Sequence, residues 1–123
     1  MGLPDNVRLT RVQVISDLRG GIEQFVGFCD ELYSAGIHLI QLRDASASPE
    51  QLREAMQAVQ PVAFEHRALV CLGRNIEVAA ELEVDLLHLG STDGALEPVR
   101  RRLGRWSLVG RSVHDAAQLA HAR

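Results

Sequence analysis

The sequence predicts an α/β fold, because short apolar runs alternate with stretches of helical periodicity along its 123 residues. The runs Leu39–Ile40 and Leu69–Leu72 are apolar at successive positions, which is typical of parallel strands covered on both faces. A helical stretch separates each strand from the next, so hairpins are excluded and the strands are expected to be parallel. A composition with 46% hydrophobic and 24% charged residues agrees with a globular domain.

The first βα unit is predicted to begin with a strand at Val12–Ile15. Apolar residues then recur at helical spacing from Ile22 to Tyr33, which indicates an amphipathic helix. Gly36 is expected to end this helix in a left-handed conformation.

The second unit is predicted to start with a strand at Ile37–Leu42. Ser48 can cap the next helix, with Pro49 at its first position and Gln51 completing a capping box. Pro61 is expected to end or kink this helix, because proline lacks the N–H that a helix interior needs.

The third and fourth units follow the same order. Strands are predicted at Ala68–Leu72, ended by Gly73, and at Asp85–Leu89, ended by Gly90. Asn75 is a candidate N-cap for the helix between them.

A short helix is predicted before the fifth unit. Pro98 suits its first turn, and the helix is expected to reach Leu103. The fifth strand is predicted at Ser107–Val109. Either Asp115 or Ser112 can cap the last helix.

Two architectures contain such units, a doubly wound sheet and a (β/α)8 barrel. The segment Arg19–Ile22 lacks the G-x-G-x-x-G fingerprint of a dinucleotide fold, which favours a partial (β/α)8 TIM barrel with about five parallel βα units. A closed barrel takes about 250 residues, so residues 1–123 are expected to form a single but incomplete barrel domain. Its open sheet edges predict a homo-oligomer or a complementing chain as partner.

The composition excludes several classes of function. All 13 basic residues are arginines, which excludes a Schiff-base lysine and a P-loop lysine. A net charge of −3 argues against nucleic acid, and the basic run Arg100–Arg102 is expected to be a solvated helix face. The sequence contains no apolar run long enough for a membrane span and no signal-peptide pattern, so a cytoplasmic location without a membrane partner is expected.

Polar side chains concentrate where the predicted strands end. In chain order they include Asp17, Gln41, Arg43, Asp44, Arg74, Asn75, His88, Ser91, Thr92, Asp93, Arg111, Ser112 and His114. Because functional residues of parallel α/β folds lie at the carboxyl ends of the strands, this edge is the predicted site.

Four groups of segments carry a family resemblance: Val14–Asp17; Ala35–Ile37 leading to Gln41–Asp44; Leu87–Gly90 with Asp93; and Val109–His114. In their order and spacing they resemble the thiamine phosphate synthase and thiazole tautomerase (TenI-like) superfamily, whose members are (β/α)8 barrels of thiamine biosynthesis. The resemblance covers nearly the whole chain.

The resemblance implies roles for individual residues. Gln41 and Arg43 resemble residues that hold the pyrophosphate of the pyrimidine substrate, and Ser112 resembles a residue that contacts released pyrophosphate. His88 falls where the family places a pyrimidine contact. Asp93 resembles a Mg²⁺ ligand, although Asp93-Gly94 is also a turn signal.

Departures from the synthase pattern favour the tautomerase branch. Ala45 stands where synthases usually have a lysine, and Leu72-Gly73-Arg74 replaces Asn-Asp-Arg, which removes an amide and a metal carboxylate. Arg74 is then predicted to bind the phosphate of a thiazole phosphate substrate. His114 is the predicted catalytic residue, because an imidazole can take and return a proton near neutral pH.

Three functions therefore stay open. The main prediction is a thiazole tautomerase-like enzyme that needs no cofactor. The second is thiamine phosphate synthase, which couples a pyrimidine pyrophosphate to thiazole phosphate with Mg²⁺. The third is a non-catalytic remnant or phosphate-binding module.

Overall fold

The computed structural model describes residues 11–122, in which five strands alternate with five helices. The strands are β1 (Val14–Ser16), β2 (Leu39–Leu42), β3 (Leu69–Gly73), β4 (Leu86–Leu89) and β5 (Leu108–Arg111). The helices are α1 (Ile22–Ser34), α2 (Pro49–Glu65), α3 (Ile76–Leu82), α4 (Leu96–Arg102) and α5 (Ala116–Ala122). Among these described helices, none combines the length and hydrophobicity that a membrane crossing requires.

The strands form one parallel sheet in the order β1-β2-β3-β4-β5. A doubly wound sheet reverses its strand order at a switch point, and this sheet does not. Consecutive parallel strands joined by helices are the arrangement of a (β/α) barrel wall. The predicted α/β class, with five parallel units of a TIM-barrel-like fold, is confirmed.

The hydrophobic core lies between the sheet and the helices. Strand residues that alternate along the chain point into it, and they are Ile40, Leu42, Val70, Leu72, Leu87 and Leu89. Buried residues of α1 to α4 complete this core, whereas α5 has no buried residue. The helices therefore cover one face of the sheet.

We call the opposite side of the sheet the inner face. The register places Ile15, Gln41, Cys71, Leu86 and Leu108 in one row across it. The middle of this row is buried, since Cys71 is 0% exposed, while Ile15 and Leu108 on the outer strands are 54% and 39% exposed. The inner face is thus packed at its centre and open at both sides.

The predicted helix caps are present. Gly36 follows α1 with a φ of 101°, and the backbone N–H of Ile37 donates to the carbonyl of Leu32, as in a Schellman turn. Asn75 Oδ1 accepts the N–H of Val78 at 2.9 Å. Asp115, rather than Ser112, caps α5 by accepting the N–H of Gln118 at 2.8 Å.

Several predicted boundaries differ from the structure by one or two residues, and β1 for example runs from Val14 to Ser16 rather than from Val12 to Ile15. Of the two effects predicted for Pro61, the helix end is wrong, because α2 continues to Glu65. Pro61 is exposed while Ala63 stays buried, so the apolar face continues past the proline and packing offsets the lost backbone hydrogen bond. The fifth strand does not stop at Val109, because Gly110 and Arg111 pair with His88 and Leu89 of β4.

The capping box of α2 gives a first prediction. Ser48 Oγ accepts the N–H of Gln51 at 3.1 Å, and Gln51 Oε1 accepts the N–H of Ser48 at 2.8 Å. We expect Ser48→Ala to lower the free energy of unfolding by about 1 kcal/mol, measured by urea denaturation. Ser34→Ala, at the exposed carboxyl end of α1, is the control and should change it far less. Equal losses in the two variants would contradict a capping role.

Candidate functional site

Parallel strands bring the predicted site residues to one edge of the sheet. Gln41 lies in β2 and Arg43 follows it, Arg74 follows β3, His88 lies in β4, and Ser112 follows β5. All five thus stand at or beside the carboxyl ends of neighbouring strands, where functional residues of such folds gather. We call this region the carboxyl edge.

Gln41 is a buried polar residue on the inner face, 1% exposed. Its Nε2 donates to Oε1 of Gln13 at 3.1 Å, while its own Oε1 has no hydrogen-bond partner within the described residues. A buried amide oxygen without a donor costs free energy, and a ligand N–H or O–H would satisfy it. Gln41 is therefore placed to accept a hydrogen bond at the carboxyl edge.

His88 and Ser112 are joined by a hydrogen bond between Nε2 and Oγ at 2.9 Å. Burial lowers the pKa of His88 below its usual 6.5, and the positive charge of Arg43 lowers it further. The imidazole is consequently neutral at pH 7. The ring is half-buried and lies beside the Ser112 hydroxyl on the inner face.

Arg43 is exposed and carries its positive charge toward the carboxyl edge. Arg43 and the neighbouring Asp44 form no ion pair within the described residues. Asp44 instead accepts the N–H groups of Leu18 and Ser46, both at 2.9 Å, and so orders the loop after β2. Within the described residues, no carboxylate forms a salt bridge with Arg43, so its guanidinium is available to an anion.

Arg74 and Asp93 form a two-point ion pair. Arg74 Nε donates to Oδ2 of Asp93 at 2.8 Å and Nη2 donates to Oδ1 at 2.6 Å. The backbone N–H of Gly90 donates to the same Oδ2 at 2.6 Å. Arg74 holds this position with a φ of 67°, which is uncommon for a residue with a side chain. The guanidinium predicted to bind phosphate is thus already engaged with Asp93.

The donors around Asp93 do not fit a Mg²⁺ ion. Mg²⁺ requires an octahedron of oxygen ligands, and both Asp93 oxygens are occupied by N–H donors. Gly73 supplies no side-chain ligand, and the space for a Cβ there is taken by Gln41 Oε1 at 2.9 Å. Between residues 11 and 122, no three His, Cys, Asp or Glu side chains are grouped as metal ligands. The structure therefore gives no support to Asp93 as a metal ligand.

His114 lies apart from these hydrogen bonds. Its backbone N–H donates to Oε1 of Gln118 at 2.8 Å, and the residue is exposed. None of the hydrogen bonds described for residues 11–122 joins its imidazole to Ser112 or His88. Its catalytic role stays a prediction.

Sequence reasoning missed a cavity of about 220 Å³ next to Ser112. It is lined by Ser91, Arg111, Ser112, Ala117, Gln118 and His121. Arg111 Nη2 donates to the carbonyl of Gly94, and its buried Nε has no partner among the described residues. Arg111 belongs to the segment ending at His114 that carries part of the resemblance. The sequence alone does not indicate the direction of its guanidinium, which depends on the path of the folded backbone.

The Arg74–Asp93 pair gives a second prediction. Hydrogen bonds from Arg74 and from the N–H of Gly90 hold the pKa of Asp93 below its usual 3.8. The stabilisation is therefore complete above pH 3.8 and is lost as the pH falls through the lowered pKa. We expect Asp93→Asn to be less stable than the native chain at pH 7, with the difference shrinking below pH 3.8.

Urea denaturation at a series of pH values measures this difference. Glu54→Gln is the matched control, because it also removes one carboxylate but from the exposed surface of α2. A difference for Asp93→Asn that keeps its full size at pH 3 would show that the ion pair is not its cause.

Consecutive parallel βα units with a polar carboxyl edge define a protein of the (β/α)-barrel class. Within that class, a family model described as thiamine monophosphate synthase matches residues 12–123. The chain therefore belongs to the thiamine monophosphate synthase family, and the predicted superfamily is confirmed.

Individual relatives agree with this membership. Thiamine-phosphate synthase of Mycolicibacterium smegmatis is 36% identical over 104 residues, which cover 77% of this chain and 46% of the relative. That of Saccharopolyspora erythraea is 38% identical over 96 residues, covering 74% of this chain and 43% of the relative. The chain spans about half the length of the curated relatives it matches.

A solved structure supports the fold. Thiamine phosphate pyrophosphorylase from Pyrococcus furiosus superimposes with a TM-score of 0.80 at 21% identity, covering 95% of this chain and 57% of that one. At this identity the similarity concerns the fold alone.

Proposed function

We propose that the carboxyl edge binds a thiazole phosphate in thiamine biosynthesis. The observation that carries this proposal is the set of polar groups gathered there: the exposed Arg43 guanidinium, the buried Gln41 oxygen without a hydrogen-bond partner in the described residues, and the hydrogen-bonded His88–Ser112 pair. A guanidinium can donate two N–H groups to a phosphate, and the neutral groups can position a heteroaromatic ring. Both thiamine reactions considered above use a thiazole phosphate, so this binding step is common to them.

For the reaction itself we propose a tautomerase-like proton shift. The donors at the carboxyl edge do not fit a Mg²⁺ ion, and a proton shift does not require one. It requires a group that takes and returns a proton near neutral pH, for which an imidazole is suited. We propose His114, the imidazole that follows β5, as the residue that carries the proton.

Binding is tested by calorimetry with thiazole phosphate and with the unphosphorylated thiazole alcohol. We expect only the phosphate to bind, and Arg43→Ala to weaken it by about 10–100-fold, as for one charge-assisted contact. Arg105→Ala is the charge-matched control, because Arg105 is exposed and precedes β5 at the opposite edge of the sheet. Equal binding of the two thiazoles would exclude the proposed phosphate contact.

The reaction is tested by following aromatisation of a thiazole carboxylate phosphate with the native chain and with His114→Ala. Turnover in the native chain supports an isomerase. Phosphate binding without turnover would favour the phosphate-binding module instead.

Thiamine phosphate synthase is the second candidate, and the names of the curated relatives favour it. It predicts coupling of a pyrimidine pyrophosphate to thiazole phosphate that depends on Mg²⁺. No coupling at saturating Mg²⁺ would exclude it for this chain.

A homo-oligomer or a complementing chain stays a prediction, which light scattering on the purified chain tests.

A further inference from the structure

The loops after β1 and β2 are joined by the carboxylate of Asp44. Its Oδ2 accepts the backbone N–H of Leu18, which lies 26 residues earlier in the chain, at 2.9 Å. Its other oxygen, Oδ1, accepts the backbone N–H and the hydroxyl of Ser46 at 2.9 and 2.6 Å. One carboxylate oxygen thus orders the turn of its own loop, and the other links that loop to its neighbour.

The Leu18 end of this link is anchored. The side chain of Leu18 packs against the hydrophobic core, and its carbonyl accepts the N–H of Gly21, which precedes α1, at 2.9 Å. Hydrogen bonds from Ser46 and from Leu18 hold the pKa of Asp44 below its usual 3.8, so the carboxylate is charged at neutral pH. A charged acceptor forms stronger hydrogen bonds than a neutral one. The link therefore ties the loop after β2 to a fixed part of the chain.

Arg43 directly precedes the residue that forms the link. Its own backbone N–H donates to the carbonyl of Ser16 at 2.9 Å, so the backbone is held on both sides of the Arg43 side chain. That side chain leaves on the inner face, because a Cβ at Gly73 would lie 3.2 Å from Arg43 Cβ. Since successive side chains of an extended chain alternate, Asp44 points to the other side. The link thus fixes the backbone from which the Arg43 guanidinium extends.

We propose that Asp44 is a positioning residue that holds Arg43 ready to bind a phosphate at the carboxyl edge. The proposal rests on the proposed function, in which the Arg43 guanidinium contacts the phosphate. Asp44 needs no contact with the phosphate, since it acts through the backbone of its neighbour. Without the link, the loop after β2 gains conformational freedom that phosphate binding has to remove again, and this weakens binding.

The sign of the effect separates positioning from simple charge. Loss of a nearby negative charge by itself strengthens binding of an anion, because a Coulomb repulsion is removed. Asp44→Asn keeps the shape of the side chain but leaves one acceptor oxygen where two are used. We expect it to weaken calorimetric binding of thiazole phosphate by about fivefold, the equivalent of one hydrogen bond. Glu50→Gln, in the exposed first turn of α2, is the charge-matched control and should not weaken binding.

A double-mutant cycle shows whether Asp44 acts through Arg43. If it does, Asp44→Asn should change binding by less than about twofold when Arg43 is already replaced by alanine, because the guanidinium to be positioned is gone. A general loss of structure would instead weaken binding equally in both backgrounds. Ser46→Ala removes one donor to Oδ1 but keeps the Leu18 link, so its binding should stay close to that of the native chain.

Amide hydrogen exchange measures the link without a ligand. The Leu18 N–H should exchange about fivefold faster in Asp44→Asn than in the native chain or in Ser46→Ala, because only the first variant loses its acceptor. Unchanged exchange in the buried strand β3 would show that Asp44→Asn is folded.

The possible results lead to different conclusions. A native chain that binds no thiazole phosphate overturns the proposed function and the positioning role together. Native binding that is tighter in Asp44→Asn, or equally weakened by it with and without Arg43, overturns the positioning role alone. A Leu18 amide that exchanges at the same rate in the native chain and in Asp44→Asn shows that the link is not formed in solution and also overturns it.

Discussion

Leu72→Ala is expected to lower the free energy of unfolding by about 2–5 kcal/mol. Leu72 is 0% exposed and lies in β3, the central strand, with its side chain in the core between sheet and helices. This loss of stability has two parts. The removed atoms no longer contribute their free energy of transfer from water to the core, and the cavity that they leave costs further free energy. Because whole domains are stable by only about 5–15 kcal/mol, the variant should be close to unfolding.

Urea denaturation measures this effect, and Leu119→Ala provides a control with the same chemical change. Leu119 is 47% exposed in α5, which has no buried residue, so the control should stay within about 0.5 kcal/mol of the native chain. A similar loss at both positions would mean that β3 is not the centre of the folded core.

Gly73→Ala and Gly27→Ala are expected to have opposite effects. A Cβ at position 73 would lie 2.9 Å from Gln41 Oε1 and 3.2 Å from the backbone oxygen of Leu42. Since Gln41 is buried and the backbone cannot move aside, overpacking should destabilise the variant by about 1–3 kcal/mol. Gly27 lies within α1, where a Cβ meets nothing within 4 Å, so alanine should stabilise the helix by about 0.5–1 kcal/mol.

Thermal and urea denaturation of the two variants provide the measurement. Binding of thiazole phosphate should also be weakened in Gly73→Ala, because Gln41 is displaced, and should be unchanged in Gly27→Ala. Changes of the same sign at both glycines would contradict the close packing between Gly73 and Gln41.

Local signals predicted most of the fold. Asn75 caps its helix and Gly36 ends α1, because these features depend on residues within one turn of the chain. The expectation that α2 ends at Pro61 is wrong for the opposite reason. Its local penalty is real, but the burial of Ala63 depends on the rest of the fold, which no local pattern shows.

The sequence predicted where in the fold the candidate site lies, but not which of its side chains form hydrogen bonds or ion pairs with one another. The carboxyl ends of the strands placed Gln41, His88 and Ser112 near one another before any contact was known. The Arg74–Asp93 pair joins loops that are 19 residues apart, and which partner each charge takes depends on the path of both loops. That Gln41 Oε1 has no hydrogen-bond donor among the described residues can likewise be recognised only when the positions of all its neighbours are known.

Within residues 11–122, each strand after β1 pairs with the one before it, so none of these described pairings has to wait for a distant part of the chain. In this respect the sheet resembles a repeat array, in which each unit builds on its predecessor. During synthesis the amino-terminal units leave the ribosome first. The paired edge of β2 can then serve as a template for β3, and β3 for β4, so that the fold grows in the order in which the chain is translated.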